Sequence, residues 1–465
     1  MFDVLTYKST TELARAIRMG EVSSEEVVQA HVERIKMVNP ELNAVVQFTG
    51  EAALEEARKA DATLASGDRI GPLHGVPMTI KDSFDTAGVI STGGTLGRKT
   101  HIPRRDATVV ARLRSAGAIL MGKTNTPELT LAYETDNLIY GRTNNPYDLS
   151  RTPGGSSGGA AAIIAAGGSP FDIGSDTGGS IRYPAHLCGI AGIRPTTGRV
   201  PRTGHIVSFD VGALDGWTQI GPMARYVDDL ILLLPLIAGP DWHDPAIVMA
   251  PMGDPDSVEV KNLSVAFHVD NGIEPATPEV ANLVRAVAES LSDLGCTAEE
   301  TRPPGTEQTL ELMFGLYMAD GCSWVYRLLE AAGTAEPGPR LKNFLEQAAK
   351  PLSTAEMSQL FARWNRYRSE MLSFLEQYDV IVCPPSAHIA LPHGTSSDHF
   401  RGFSYTMTYN LTGWPGGVVR AGTSSDGLPI GVQVVGRPWR EDVVLAVLKH
   451  VENTFGGWQP PNALI

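Results

Sequence analysis

The sequence predicts an α/β fold in one large domain, with a central twisted mixed β-sheet sandwiched between α-helices. Strand-like apolar runs alternate with helix-like segments along the 465 residues, and loops dense in Gly, Ser, Thr and Asn join them between about 71 and 202. No repeat, low-complexity tract or linker-like boundary divides the chain. We therefore expect one domain over residues 1–465, with its chemistry in loops at strand ends.

The elements are expected in a regular order along the chain. Ser9 with Glu12, and Ser23 with Glu26, have capping-box spacing ahead of apolar residues at helical period, so two helices open the chain. Apolar runs of strand length then alternate with amphipathic segments. Strands are expected at 44–48, 76–80, 118–121, 263–267, 380–382 and 430–435, and further helices at 51–65, 160–166, 277–294, nearly all of 309–377, and 442–454.

Composition excludes several classes of function. Lys and Arg total 38 against 52 Asp and Glu, and the formal charge of −14 disfavours binding to nucleic acid or to an anionic membrane surface. The four cysteines form no CxxC pair, so neither disulfides nor a zinc site are indicated and a reducing cytoplasm is expected. The longest apolar run, 230–238, is too short to span a bilayer, and residues 1–7 show no targeting signal.

The strongest local motif is Gly-Gly-Ser-Ser-Gly-Gly at 154–159, which leads into the helix-prone residues 160–166. Such a loop is a flexible linker, a phosphate cradle or a loop that presents a serine. Ordered-looking flanks disfavour the linker, and the Walker and dinucleotide patterns are absent. Gly-x-Ser-x-Gly matches at Ser156 and Ser157, but the turn-forming residues 143–153 do not supply the strand that a nucleophile elbow needs.

Two further features complete a chemical set. In the segment 174–182, the run Thr-Gly-Gly-Ser can aim successive backbone amides at one point, as in a nest that holds an oxyanion. Lys81 directly follows an apolar strand, where a long side chain can be partly desolvated. Taken alone, Lys81 is a surface charge. Its combination with the two serine-bearing loops favours a catalytic role.

These segments resemble the amidase signature family of serine hydrolases. The matching segments are 72–77 with Lys81-Asp82, 153–159, 174–182, 221–225, 378–384, 410–415 and 427–433. The resemblance implies a catalytic core at about 71–225 and a variable helical region on the substrate side at about 300–377. It also implies that the protein uses no cofactor and no metal.

The resemblance implies a Ser-Ser-Lys relay in which Ser180 is the nucleophile, Ser156 the bridging serine after a cis peptide bond, and Lys81 the general base. A lysine takes a serine proton only while it is neutral, so its pKa must fall from about 10.4 to near 7, on the order of 4 kcal/mol. The implied oxyanion hole consists of the backbone amides of Thr177, Gly178, Gly179 and Ser180. The residues expected to support these loops are Ser157, Asp176 and Arg182.

The relay implies hydrolysis of a carboxylic amide through an acyl-enzyme. The protein is expected to be a monomer or a homodimer. The residues expected near the substrate are Tyr133, Gly155, Trp217 and Trp414. The three aromatics favour an apolar site for anilides or aryl carbamates (urethanes), and the alternative is that they merely pack in the core.

Other functions are weighed against hydrolysis. An amidotransferase-type subunit that acts on charged tRNA is disfavoured because residues 204–217 are similar to those of free-standing bacterial amidases. A non-catalytic amidase-fold binding protein is disfavoured because Lys81, Ser156 and Ser180 are all intact. An esterase with a histidine triad would lose activity as a histidine is protonated near pH 6.5, whereas a lysine relay gains activity toward alkaline pH.

Overall fold

The computed structural model describes residues 5–211, 216–348 and 350–462. Several sequence expectations fall partly outside these residues: the N-terminal segment without a targeting signal loses residues 1–4, the segment 204–217 loses residues 212–215, and the expected helical segment 309–377 loses residue 349. Within the described part of the chain, no helix combines the length and the apolar character needed to cross a bilayer.

Runs rich in β-branched and other apolar residues form the strands. The strands are β1 (Val45–Phe48), β2 (Pro77–Lys81), β3 (Ile119–Thr124), β4 (Asp136–Asn137), β5 (Gly141–Arg142), β6 (Phe171–Asp176), β7 (Ala191–Arg194), β8 (Gln219–Ala224), β9 (Ser264–Phe267), β10 (Thr297–Glu300), β11 (Val380–Cys383), β12 (Gly416–Thr423) and β13 (Pro429–Gly436).

Among the described residues, eight strands form one mixed sheet in the order β10-β9-β11-β13-β12-β7-β8-β6. β9 is parallel to β10 and β11, and the other neighbouring pairs are antiparallel. A smaller sheet has the order β1-β3-β2, with β2 parallel to β3. β4 and β5 form a short antiparallel ribbon. The predicted α/β fold with a central mixed sheet is therefore confirmed.

Helices, most of them amphipathic, flank the sheets. The helices are α1 (Thr10–Arg18), α2 (Ser24–Leu42), α3 (Gly50–Ala65), α4 (Thr108–Ser115), α5 (Gly158–Ala165), α6 (Arg182–Leu187), α7 (Val227–Ile237), α8 (Pro278–Leu294), α9 (Thr309–Tyr317), α10 (Ser323–Ala332), α11 (Pro339–Glu346), α12 (Thr354–Phe374), α13 (Ser404–Thr412) and α14 (Glu441–Phe455). Both predicted capping boxes, at Ser9 and Ser23, are present.

The segment 309–377, expected to be almost wholly helical, is divided into the four helices α9 to α12. Gly321 and Gly333 have φ of 66° and 71°, and these left-handed residues separate α9 from α10 and end α10. Pro339 then begins α11, and the Ser353 capping box begins α12. The breaks thus lie at residues whose backbone preferences end or start helices.

The helical segment shares a core with the large sheet. Met313 of α9 and Trp364 of α12 belong to the same apolar cluster as Ile381 of β11 and Val435 of β13. Burial of this continuous apolar surface is the main stabilising force that holds the helices to the sheet. The helices are therefore part of one domain with the sheet.

Candidate active site

Lys81 ends β2 inside the protein and is fully buried. Its backbone N–H donates to Asp172 Oδ1 on β6 at 2.9 Å, and the Thr79 hydroxyl donates to Asp172 Oδ2 at 2.7 Å. Asp172 therefore joins the outermost strands of the two sheets, β2 and β6, and fixes the point from which the Lys81 side chain extends. Burial raises the pKa of Asp172 to about 6.

The Lys81 amine lies among serine hydroxyls. Its Nζ is 2.7 Å from Ser156 Oγ, 3.0 Å from Ser157 Oγ and 2.9 Å from Ser175 Oγ. Burial lowers the pKa of Lys81 to about 7, against the opposing attraction of two buried carboxylates. A large fraction of the amine is therefore neutral near pH 7, as a general base requires.

The first glycine loop holds Ser156 in place. The Gly155–Ser156 peptide bond is cis, as expected. A methyl group added to Gly155 would lie 2.7 Å from the Ala132 carbonyl oxygen, so this close approach of two backbones requires glycine. The Ser157 N–H donates to the Ser180 carbonyl at 3.2 Å. This bond joins the first glycine loop, residues 154–159, to the second glycine loop, residues 177–180.

Ser180 lies between the end of β6 and the start of α6. Its relative exposure is 7%, against 1% for Ser156, so it is the more accessible of the two serines. Within the described residues, no hydrogen bond joins the Ser156 and Ser180 hydroxyls. The structure thus brings Lys81 and Ser156 into direct contact. It places Ser180 beside them through the hydrogen bond between the Ser157 N–H and the Ser180 carbonyl.

The backbone amides of the second loop differ in what they bind. Among the described residues, the N–H groups of Thr177, Gly178 and Ser180 donate to no acceptor. The Gly179 N–H instead donates to Asp176 Oδ1 at 2.8 Å. This differs from the prediction that all four amides form the oxyanion hole, because a strong carboxylate acceptor already holds the Gly179 amide. Three donors remain for an oxyanion.

Asp176 and Arg182 form a buried ion pair beside this loop, with Nη2 2.9 Å from Oδ1. The carboxylate also accepts the Ile181 N–H at 3.2 Å and the Asn410 side-chain amide at 2.8 Å. Burial alone would raise the pKa of Asp176, but the Arg182 charge and these donors hold that pKa well below its ordinary range. The charged carboxylate therefore ties the backbone of the loop to α13.

Tyr133 is in contact with the same loop. Its hydroxyl donates to the Gly178 carbonyl at 2.9 Å, and its ring stacks on Phe403 with a centroid distance of 4.1 Å. Phe400 lies edge-on to Tyr133 at 5.8 Å, and Phe314 of α9 lies 5.2 Å from Phe400. Aromatic rings therefore extend from the loop to the helical segment.

Trp217 and Trp414 lie deeper, at 1% and 3% relative exposure. The Trp217 ring packs against Tyr317 and Trp364 at centroid distances of 5.6 and 5.7 Å. Arg194 donates to the backbone carbonyls of both tryptophans, at 2.6 Å for Trp217 and 2.8 Å for Trp414. This geometry favours packing for both residues, and their contact with substrate stays a prediction.

The family model described as Amidase matches residues 26–445 of the chain. The chain belongs to the amidase family. It is accordingly an enzyme that hydrolyses amide carbon–nitrogen bonds, as its acylamidase and amide hydrolase relatives indicate.

Relatives of this amidase include an acylamidase and a subunit of an amidotransferase. It is 37% identical over 469 residues to a subunit of the glutamyl-tRNA(Gln) amidotransferase of Moorella thermoacetica, covering 95% of each chain. It is 34% identical over 471 residues to the acylamidase of Rhodococcus erythropolis, covering 96% of this chain and 95% of the relative.

Two solved structures have the same fold over nearly their whole length. One is 6-aminohexanoate cyclic dimer hydrolase complexed with substrate, with a TM-score of 0.90 and 27% identity over 99% of this chain and 100% of that one. The other is a bacterial aryl acylamidase of the amidase signature family, with a TM-score of 0.85 and 26% identity over 96% of each chain.

Sequence reasoning assigned no role to four residues of this amidase site: Asp172, Ser175, Thr406 and Asn410. An acidic residue between the apolar residues Phe171 and Ile173 is the one local signal that marks Asp172 as unusual. Ser175 carries no such mark, and its contact with Lys81 depends on how β6 lies against β2. Thr406 and Asn410 come from a helix more than 220 residues away from the loop they contact.

Replacing Asp172 with asparagine is expected to move the acidic limb of the pH–kcat/KM profile to lower pH. The Asp172 charge favours protonated Lys81, so its removal lowers the pKa of the lysine further. The asparagine carbonyl oxygen keeps the acceptor for the Lys81 N–H, and the hydroxyls of Thr79 and Thr124 can accept from the new amide.

The matched control for this prediction is Asp229→Asn. Asp229 is also buried with a pKa raised to about 6, but it accepts the backbone N–H groups of Thr10 and Thr11. Its substitution is expected to lower the unfolding temperature and to leave the pH profile unchanged. If the acidic limb of Asp172→Asn stays at the wild-type pH or moves to higher pH, the electrostatic role of Asp172 is contradicted.

Proposed function

We propose that this amidase hydrolyses carboxylic amides by acyl transfer to Ser180, with Ser156 as the bridging serine and Lys81 as the general base. One observation carries the proposal: a fully buried lysine with a pKa near 7 has its amine 2.7 Å from the Ser156 hydroxyl. A lysine held neutral by burial has the protonation state of a base and not of a structural cation.

In the proposed reaction, Ser180 Oγ forms a bond to the amide carbonyl carbon while its proton passes to Ser156, whose own proton passes to Lys81. The carbonyl oxygen becomes an oxyanion. The carbon–nitrogen bond then breaks, and the leaving nitrogen takes the proton that Lys81 returns through Ser156. Water attacks the acyl-enzyme by the same proton route, releasing the acid and free Ser180.

The loop 177–180 supplies the stabilising donors for the oxyanion. The amides of Thr177, Gly178 and Ser180 make no hydrogen bond within the described residues and are the candidates for this role. Removal of one oxyanion donor typically costs about 10²- to 10³-fold in rate. Because the donors are backbone groups, the shape of the loop decides their direction.

Anilides and aryl carbamates are the proposed substrates within the amide class. The support is the aromatic wall of Tyr133, Phe400 and Phe314 beside the loop, and Met313, whose Cε would lie 3.8 Å from a methyl group on Gly178. Offset and edge-to-face contacts with such rings favour flat aromatic groups. The likeness to the Rhodococcus acylamidase and to the aryl acylamidase structure is consistent with this choice.

A second candidate function is that of an amidotransferase component that works with charged tRNA. The 37% identity to the Moorella protein over 95% of both chains favours it. The formal charge of −14 disfavours close approach to a nucleic acid unless a basic partner chain intervenes. The two candidates differ in a measurable way, since a glutamine-dependent amidotransferase uses glutamine as its amide donor.

The test is a substrate panel combined with active-site labelling of the purified chain. We expect release of 4-nitroaniline from 4-nitroacetanilide and from a matched N-(4-nitrophenyl) carbamate, and no hydrolysis of glutamine. We also expect a fluorophosphonate adduct that mass spectrometry locates on Ser180. Glutamine hydrolysis without anilide cleavage would favour the amidotransferase candidate. An adduct with neither aryl substrate cleaved would reject the aryl preference alone, and absence of an adduct would reject the catalytic proposal.

A further inference from the structure

The peptide group between Gly178 and Gly179 is held at both ends. Its carbonyl oxygen accepts the Tyr133 hydroxyl at 2.9 Å, and the Thr406 hydroxyl lies at the same distance, sharing its single proton between this carbonyl and that of Phe403 at 3.0 Å. Its N–H donates to Asp176 Oδ1 at 2.8 Å. Two acceptor sites of one carbonyl and the single donor of the same peptide are thus all occupied by side chains.

One face of α13 supplies one of these restraints and supports another. Thr406 and Asn410 are four residues apart and so lie on the same side of the helix. Thr406 binds the peptide carbonyl, and Asn410 donates to Asp176 Oδ1 at 2.8 Å, the same oxygen that accepts the Gly179 N–H. Any movement of the peptide therefore breaks contacts to a packed helix.

The loop packs closely against Thr406 and Tyr133. A methyl group on Gly179, where φ is +122°, would lie 2.2 Å from Thr406 Oγ1. A methyl group on Gly178 would lie 2.5 Å from the Tyr133 hydroxyl. Both glycines are needed so that the hydroxyls can reach the backbone.

We propose that Thr406 and Tyr133 are positioning residues that orient the oxyanion-binding amides of Gly178 and Ser180. These two amides belong to the peptide groups on either side of the held one, so fixing its plane restricts the backbone rotations that set the direction of both. It also turns the Gly178 carbonyl toward the two hydroxyls and away from an oxyanion, which that carbonyl would repel. The inference rests on the proposed acyl transfer to Ser180, and it gives Tyr133 a role in addition to lining the substrate side.

The test compares Thr406→Val with Thr406→Ser and with Thr408→Val. Valine keeps the shape of threonine but has no hydroxyl, and serine keeps the hydroxyl. Thr408 is on the same helix, and its hydroxyl bonds to the Ser404 carbonyl and the Thr309 hydroxyl instead of to the loop. Thr408→Val therefore reports the stability cost of losing a buried hydroxyl on α13.

Thr406→Val is expected to lower kcat for 4-nitroacetanilide by about 10- to 100-fold while KM changes by less than about threefold, because the loss is confined to the transition state. The Ki of a trifluoromethyl ketone, which forms an oxyanion with serine, should rise by the same factor as kcat falls. Thr406→Ser should recover most of kcat. Tyr133→Phe, which removes only a hydroxyl, should show the same division between kcat and KM.

The inference would be overturned if Thr406→Val and Tyr133→Phe both kept kcat and the ketone Ki within twofold of the wild type. It would also be overturned if Thr408→Val lost kcat to the same extent as Thr406→Val. If Thr406→Val does not fold, Tyr133→Phe alone decides by the same criterion. A wild type that neither cleaves amides nor takes a fluorophosphonate would instead reject the proposed function itself, so the two failures are distinguishable.

Discussion

Ser180→Ala is expected to lower kcat/KM for amides by roughly 10⁵-fold or more, because a covalent route has no substitute once its nucleophile is removed. The thermal unfolding midpoint should change little. Within the described residues the Ser180 hydroxyl makes no hydrogen bond, so its removal leaves no buried partner unsatisfied. Steady-state kinetics on 4-nitroacetanilide and a thermal melt measure the two quantities separately.

Ser157→Ala is the matched control for that experiment. Ser157 also lies in the cluster, with its hydroxyl 3.0 Å from Lys81 Nζ and 3.4 Å from the Ser175 carbonyl, but its backbone N–H and not its hydroxyl bonds to Ser180. We expect Ser157→Ala to keep its fluorophosphonate adduct and Ser180→Ala to lose it. Retention of more than about one per cent of activity in Ser180→Ala, or persistence of its adduct, would place the nucleophile elsewhere.

The elements that sequence reasoning predicts well are those with local signals. The capping boxes at Ser9 and Ser23 begin helices as expected, and Gly295, with φ of 121°, ends the helix predicted at 277–294. Sheet order has no such local signal. β9 pairs with both β10 and β11, which begin at residues 297 and 380, and only the packed structure determines which strands become neighbours.

The same division applies to the site. Lys81, Ser156 and Ser180 stand out because each lies at a motif, and the resemblance to a family assigns roles to them. The contacts that set their chemistry come from distant parts of the chain: Asp172 acts on Lys81 from β6, and Thr406 reaches the loop from α13. Neither periodicity nor spacing reports such contacts, because they arise only when the sheets and helices pack.

Two tryptophans show the opposite case, in which sequence reasoning predicts a substrate contact and the structure favours packing. Trp217 and Trp414 fall in loops that the resemblance places near the substrate, yet both rings are nearly inaccessible. A large aromatic residue in a loop satisfies its apolar surface either by binding substrate or by packing, and sequence composition is the same in both cases. Tyr133 differs because its hydroxyl has a polar acceptor on the loop itself.

Lys81→Met is expected to lower kcat by about 10²- to 10⁴-fold, the range that loss of a general base typically costs. Methionine is unbranched and close to lysine in length, so it can occupy the same buried space without a base. The wild-type kcat/KM should rise with pH below about 7, where Lys81 loses its proton, and level off above it. The residual activity of the methionine variant should lack this limb.

The free energies of unfolding of the wild type and of Lys81→Met should also diverge with pH, in a defined direction. Burial lowers the pKa of Lys81 from its ordinary 10.5 to about 7, so between these values the unfolded chain binds a proton that the folded chain does not. Unfolding then takes up a proton, and the free energy of unfolding of the wild type rises with pH relative to Lys81→Met across this window and is constant below it. Urea unfolding of both proteins at pH 6, 8 and 9.5 measures the difference. A difference that is flat or that falls with pH would mean that Lys81 is charged in the folded protein, and the relay would lose its base.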